Sequence, residues 1–255
     1  MDVLNEATHS GIASGIVPSS MRIARQLLNR LENVDSGEVL LPELCQVVPE
    51  QRLQQIQATA AIVGDKLLDS FNTVDGLDAI NADPVELLLN NTWRSTLCVV
   101  GQQGIPQVQD AGNVLRAYTC LKLSFRLPPD IKWQKARAAI SAVLLASPPY
   151  QARVSVEFDQ GGDGWNAPPL ADWLKNACSD ASQSYFGNDA AYFGLGASIP
   201  FMAMLGEMYP EAQFLITGVL GPKSNAHGPN EFIHLPYAKQ LTSCIALVLS
   251  QTPNS

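Results

Sequence analysis

The stretch from Gly194 to Glu231, GLGASIPFMAMLGEMYPEAQFLITGVLGPKSNAHGPNE, constrains the fold more than any other part of this 255-residue chain. A glycine-rich turn carrying Ser198 leads into an apolar helix after Pro200. An apolar run of strand composition follows at 213–219, and then a polar loop rich in Gly, Pro and Asn that holds His227. Helix and apolar strand in this alternation are the material of an α/β layer. From its own context the loop histidine reads in two ways. It is bonded to water, or it is a metal ligand, since neutral imidazole binds zinc well and such a loop presents it rigidly.

Composition bounds the rest. Hydrophobic residues are 46% of the chain and charged residues 16%, which suits one large or two medium packed domains and excludes a disordered tail. The formal net charge of -8 repels phosphate backbones and argues against nucleic acid as a partner. Five cysteines (Cys45, Cys98, Cys120, Cys178 and Cys244) are scattered without a CxxC pair. They fit neither a disulfide framework nor a thiolate zinc site, so reduced and mostly buried thiols are expected. The opening residues MDVLNEATHSG lack the basic start and apolar core of a signal peptide. The apolar run CIALVLS at 244–250 falls well short of the roughly 20 residues a membrane span needs. A cytoplasmic chain with no membrane partner is the expectation.

The periodicity predicts a helix from Pro18 to about Asn33, with Met21, Ile23, Ala24, Leu27, Leu28 and Leu31 on one face. Arg22, Arg25, Asn29 and Arg30 lie opposite. Further helices are expected at about 50–71, 84–91, 131–146, 170–185, after Pro200, and at 236–250. Strands are expected at TLCVV (96–100), at YTCLKLSFRL (118–127), at YQARVSVEF (150–158) and at 213–219. Leu121, Leu123, Phe125 and Leu127 alternate cleanly along the second of these, and Pro128-Pro129 stops it. Helix, strand, strand, helix, strand is the order a ferredoxin-like α+β sandwich leaves once its first strand is removed. The Gly/Pro-rich GGDGWNAP at 161–168 marks a boundary, giving expected domains 1–165 and 166–255. The fold class is thus α+β followed by α/β.

Segments along most of the chain resemble the M20-type zinc metallopeptidases, in their carnosinase-like dipeptidase branch. THSGIASGIVP (8–18) resembles the family's Asp-x-His-Ser-Gly…Gly-Gly-x-Val-Pro segment, which leads into the lid, or dimerisation, domain. NTWRSTLCVVGQQGIP (91–106) and GNVLRAYTCLKLSFRLPP (112–129) resemble that branch's lid strands. GWNAPP (164–169) and GASIPFM (196–202) resemble the return into the catalytic domain, and NAHGPNE (225–231) its last metal loop.

The resemblance implies roles for particular residues. His227 matches a histidine that closes one of two zinc sites. His9 matches a lid histidine that reaches the neighbouring subunit's active site and donates a hydrogen bond to the reaction's oxyanion. Read alone, His9 is a helix-start histidine tied to Ser10 or the backbone. Arg116 matches an arginine suited to a bidentate grip on a substrate carboxylate. Read alone, it is a surface arginine at a strand start. Asn113 is its companion at the substrate site, or a cap for the turn after Gly112. Ser198 lends a hydroxyl or N–H to the pocket, since GASIP is not the GxSxG elbow of a serine hydrolase. His234 reads as a surface residue near a helix start.

The chain also departs from the family pattern. Ala7 stands where the family has Asp, Leu195 where it has Glu, and Ser95 and Ala117 where it has Pro. A pair of zinc ions needs about five protein ligands and a Glu that accepts the water's proton. In the family all of these but the last histidine precede the lid, and this chain has three histidines in total. The resemblance therefore implies the C-terminal half of a di-zinc peptidase acting on dipeptides or short peptides, inactive as a lone chain. Its first lid strand is expected to be missing, its lid to form a homodimer, and an N-terminal half or full-length relative to complete it. The alternative is a non-catalytic dimerisation or binding module derived from the lid.

Overall fold

The computed structural model describes residues 1–159, 161–196 and 200–253. In chain order it runs β1 (Thr8–His9), α1 (Ser10–Ala13), α2 (Ser20–Leu28), α3 (Glu50–Val63), α4 (Pro84–Thr92), β2 (Thr96–Gln103), β3 (Val114–Leu115), β4 (Cys120–Arg126), α5 (Trp133–Leu145), α6 (Asp172–Phe186), α7 (Pro200–Met208) and α8 (Leu235–Ser250). The strands form two small antiparallel sheets, β1 with β3 and β2 with β4. Contacts group Met1–Val47, Asn90–Gly164 and Gly196–Pro200 into one unit, and Val48–Leu89, Trp165–Leu195 and Phe201–Ser255 into another. The Gly164–Trp165 crossing falls within GGDGWNAP, and residues 48–89 group with the second unit.

In the first unit α2 forms where the apolar spacing placed it, burying Ile23, Ala24 and Leu27, with Leu31 in the turn beyond. Ala136, Ile140 and Leu144 of α5 join this core, as do Val39, Leu41, Leu44 and Ile131. Full burial of such aliphatic side chains is worth about 1.5–3 kcal/mol each, so this cluster dominates the unit's stability. β2 and β4 pair from Thr96↔Arg126 to Gln103↔Cys120, with a bulge between Val99 and Gly101. Leu97, Leu123 and Phe125 lean on the same core. Arg30, expected on the solvent face of its helix, instead donates to the carbonyls of Ala146 (2.6 Å) and Ser147 (3.1 Å). Those oxygens lie at the end of α5, where the helix leaves carbonyls without internal partners.

The strand expected at 150–158 is not one. Val154, Val156 and Phe158 face the core while Ser155 and Glu157 are exposed, so the period of two survives. Beyond Arg153, however, the segment has no ladder partner among the described residues. Alternation makes a segment extended; only pairing makes it a strand.

In the second unit α6 packs on α8 through Leu174, Ala177, Cys178 and Ala181 against Val248. Ala177 and Ala181 are fully buried, and their small side chains let the helices approach closely. α3 buries Ile56, Thr59 and Ala60, and the Thr59 hydroxyl donates to the Tyr192 carbonyl at 2.7 Å. The strand expected at 213–219 also lacks a ladder among the described residues, and Leu215, Ile216 and Val219 are exposed. Phe214 alone finds an aromatic neighbour, an edge-on contact with Trp165 at 5.1 Å.

The cysteines correct the expectation of burial. Cys45, Cys98 and Cys120 are exposed, Cys244 is half-buried and Cys178 is buried, all as free thiols. Cys98 and Cys120 sit at outward positions of β2 and β4, which periodicity alone does not assign to a face. Among the described residues no helix is long and apolar enough to cross a membrane.

Candidate functional site

The first unit gathers three of the sequence-predicted residues on one ribbon. Thr8 pairs with Leu115 and His9 with Val114, and the Ser10 N–H donates to the Asn113 carbonyl at 2.9 Å. His9 and Val114, directly paired, share a face of the ribbon, and Arg116 follows one residue beyond its end. Asn113 is exposed and holds the ribbon through its backbone.

His9 is exposed and caps the short helix α1, its Nδ1 accepting the Gly11 N–H at 3.1 Å. The residue therefore fulfils its helix-start reading. A Cβ at position 11 would lie 3.0 Å from His9 Cε1, a tight contact with the capping ring. Because Nδ1 accepts, a neutral ring carries its proton on Nε2.

Arg116 is half-buried in the wall of a pocket of about 350 Å³ lined by Ala7, Gly104, Ile105, Pro106, Ala117 and Tyr118. Gly104 has φ +90°, and a Cβ there would lie 2.5 Å from the Tyr118 carbonyl oxygen. Only glycine lets the Gly-Ile-Pro turn close on Tyr118. The result is a guanidinium in a mostly apolar recess, the chemistry that grips a carboxylate. Ala7 gives that part of the lining an apolar surface. Sequence reading missed the 104–106 turn and Tyr118 as site residues, although a Gly and a Pro two residues apart signal a turn.

His227 belongs to the second unit. Its loop is built on buried Ser224, whose hydroxyl accepts the Gly221 N–H at 3.0 Å and whose carbonyl accepts the Phe232 N–H at 3.2 Å. Asn225 Nδ2 donates to the Pro229 carbonyl at 2.7 Å. His227 is exposed at φ +61°, with its N–H directed to Glu231 Oε2 at 3.3 Å. Alongside lies a pocket of about 540 Å³ lined by residues including Val219, Leu220, Ala226 and Phe232. Among the described residues no group of three His, Cys, Asp or Glu side chains converges, so these residues by themselves do not fit a metal ion.

Ser198 lies outside the described residues. Leu195 is exposed at 69%. His234 caps α8, its Nδ1 accepting the Tyr237 N–H at 3.2 Å.

The arrangement has close structural parallels. The dipeptidase Dug1p of Saccharomyces cerevisiae superposes with TM-score 0.73 and 19% identity over 99% of this chain. Human carnosine dipeptidase 1 gives 0.70 and 18% over 98%. The M20 family metallo-carboxypeptidase Sso-CP2 of Sulfolobus solfataricus gives 0.67 and 15% over 97%.

The chain has an M20-type peptidase fold.

It spans about half the length of these structures, 53%, 53% and 56% respectively. In sequence, a cysteinylglycine-S-conjugate dipeptidase of Corynebacterium striatum is 23% identical over 158 residues, 62% of this chain and 34% of that protein. No family model matches. The M20-type fold is thus present in part, and the partial coverage fits a C-terminal half.

Proposed function

We propose that this chain supplies the lid and the last part of the catalytic unit of an M20-type di-zinc peptidase that hydrolyses dipeptides or short peptides. The observation that carries the reading is Arg116, a guanidinium in a largely apolar pocket just beyond the end of the ribbon that bears His9. Arg116 holds the substrate's terminal carboxylate by two parallel hydrogen bonds. Ile105, Pro106 and Ala117 flank that pair with apolar surface. His9 presents an Nε2–H, the donor an oxyanion needs, to the active site of the partner subunit. Asn113 lines the substrate's path.

His227 offers one imidazole to the zinc site. The remaining ligands and the proton-accepting carboxylate lie outside these 255 residues, in an N-terminal half or a full-length relative, and these residues by themselves are inactive. The lid forms a homodimer, which the uncovered edge of β2 supports: among the described residues β2 pairs only with β4, and Val99 and Val100 are 45% and 55% exposed. The assembly is cytoplasmic.

The test is a titration of the chain with alanyl-glycine and with its C-terminal amide, followed by NMR. The free acid shifts the Arg116 and Tyr118 resonances and the amide does not. Equal shifts from both would remove the carboxylate grip.

The same β2 edge favours a second reading, a non-catalytic dimerisation module. Adding an N-terminal half separates the two: tight zinc uptake marks the enzyme, and dimerisation without zinc marks the module.

A further inference from the structure

Asp-Gly pairs occur at Asp75-Gly76 and at Asp163-Gly164, and the fold treats them in opposite ways. A glycine after aspartate has no Cβ to keep the carboxyl away from its own backbone nitrogen. Whether that nitrogen meets the carboxyl carbon depends on what else holds the two groups.

Asp163 is held. Its Oδ1 accepts the Trp133 N–H and its Oδ2 the Lys132 ammonium, both at 2.9 Å. The Trp133 N–H, and after it Lys132, keeps this carboxyl below the usual carboxylate range, so it stays ionised and is a poor electrophile. Gly164 is packed as well: a Cβ there would lie 2.8 Å from the Pro128 carbonyl oxygen and from Pro129 Cα.

Asp75 is not held. Asp75 and Gly76 are exposed in the connection between α3 and α4. Among the described residues nothing bonds to the Asp75 carboxyl or to the Gly76 N–H. Gly76 has φ +77°, and a Cβ there would meet nothing within 4 Å, so water reaches the site freely. The turn is closed by the Leu77 N–H to the Val74 carbonyl at 3.3 Å. Asp78 is exposed in the same turn, but Ala79 follows it, and its Cβ shields the nitrogen.

We propose that Asp75 is a site of isoaspartate formation and, through it, a substrate for a carboxyl methyltransferase that uses a sulfonium methyl donor. The Gly76 nitrogen loses its proton and attacks Asp75 Cγ. The N–Cγ bond forms, a Cγ–O bond breaks, and water leaves a five-membered succinimide. Water then opens the ring at the bond between the nitrogen and the Asp75 main-chain carbonyl carbon. The main chain now runs through Cγ, one methylene longer, and the old main-chain carbonyl is a free carboxylate. That carboxylate takes the methyl group, its O–C bond forming as the donor's S–C bond breaks to give a thioether. No residue from 71 to 83 is buried, so the fold accommodates the longer chain. The inference does not depend on the peptidase reading.

The test is storage of the full chain for several weeks at neutral pH and body temperature, folded and in guanidinium chloride. Isoaspartate is located by electron-transfer mass spectrometry. It is counted by methyl transfer from tritiated S-adenosylmethionine with an isoaspartate methyltransferase. In the folded chain isoaspartate at Asp75 should exceed that at Asp78 and at Asp163 by about tenfold or more. Unfolding should raise Asp163 about tenfold, as the Trp133 and Lys132 bonds are lost, and leave Asp75 within about twofold. Asp75→Glu, whose longer side chain would have to close a larger ring, should abolish methyl transfer to the folded chain. Equal isoaspartate at Asp75 and Asp78, or a tenfold rise at Asp75 on unfolding, overturns the proposal. So does isoaspartate at Asp75 that accepts no methyl group.

Discussion

The Nδ1 atom of His9 accepts the backbone N–H of Gly11 at 3.1 Å, and this bond decides what the imidazole can do. It fixes the ring's orientation and leaves Nε2 as the donor. In an enzyme reconstituted with an N-terminal half, His9→Ala should leave zinc content intact and lower kcat by about 10²–10³, the usual effect of losing one oxyanion donor. Steady-state kinetics beside metal analysis check it. Loss of zinc with the imidazole would instead make His9 a structural residue.

Gly104→Ala should close the Arg116 pocket. The backbone at φ +90° strains any side chain, and the added Cβ meets the Tyr118 carbonyl at 2.5 Å. A stability loss of about 1–3 kcal/mol in urea unfolding is expected, together with loss of alanyl-glycine binding. Arg116→Lys keeps the charge and loses the fork, so the dipeptide should weaken without any change in stability.

Ser20 and Thr119 share a buried hydrogen bond at 2.8 Å, each less than 3% exposed. Thr119→Val strands the serine hydroxyl and should cost about 1–3 kcal/mol. Adding Ser20→Ala to Thr119→Val should recover part of that loss. Chemical denaturation of the two single variants and the double variant measures the coupling.

Tyr192 predicts an alkaline transition. Burial, followed by the neighbouring Cys178 thiol, pushes its phenol up from 10.0 to about 12. The folded value lies above the unfolded one, so the associated stability is complete below about pH 10 and is lost as pH rises towards 12. Urea midpoints at pH 9 and pH 11.5 should differ less in Tyr192→Phe than in the parent protein. An unchanged difference would place the alkaline loss elsewhere.

Much of the fold was legible because helices carry their own signal. The spacing of Ile23, Ala24, Leu27 and Leu31 named both α2 and its buried face. The apolar runs at 150–158 and 213–219 misled, since their pairing depends on a partner that local sequence does not specify. Val154, Val156 and Phe158 kept the alternation of a strand without its ladder. The site divided along the same line. His9, Asn113 and Arg116 were singled out through motifs, and the short ribbon sets His9 beside Val114, between the other two in sequence. The pocket around Arg116 was not found, because Ala7, the 104–106 turn and Tyr118 meet only through folding across about a hundred residues. The exposed faces of Cys98 and Cys120 were missed for a related reason: a period of two does not say which side is the core.

The decisive measurement is zinc-dependent dipeptide hydrolysis by this chain mixed with the N-terminal half of an M20 relative, with and without His227→Ala. Activity is predicted only in the mixture, and His227→Ala should abolish it together with bound zinc. A mixture that hydrolyses dipeptide equally well with alanine at position 227 would contradict the assignment of this chain to the peptidase site.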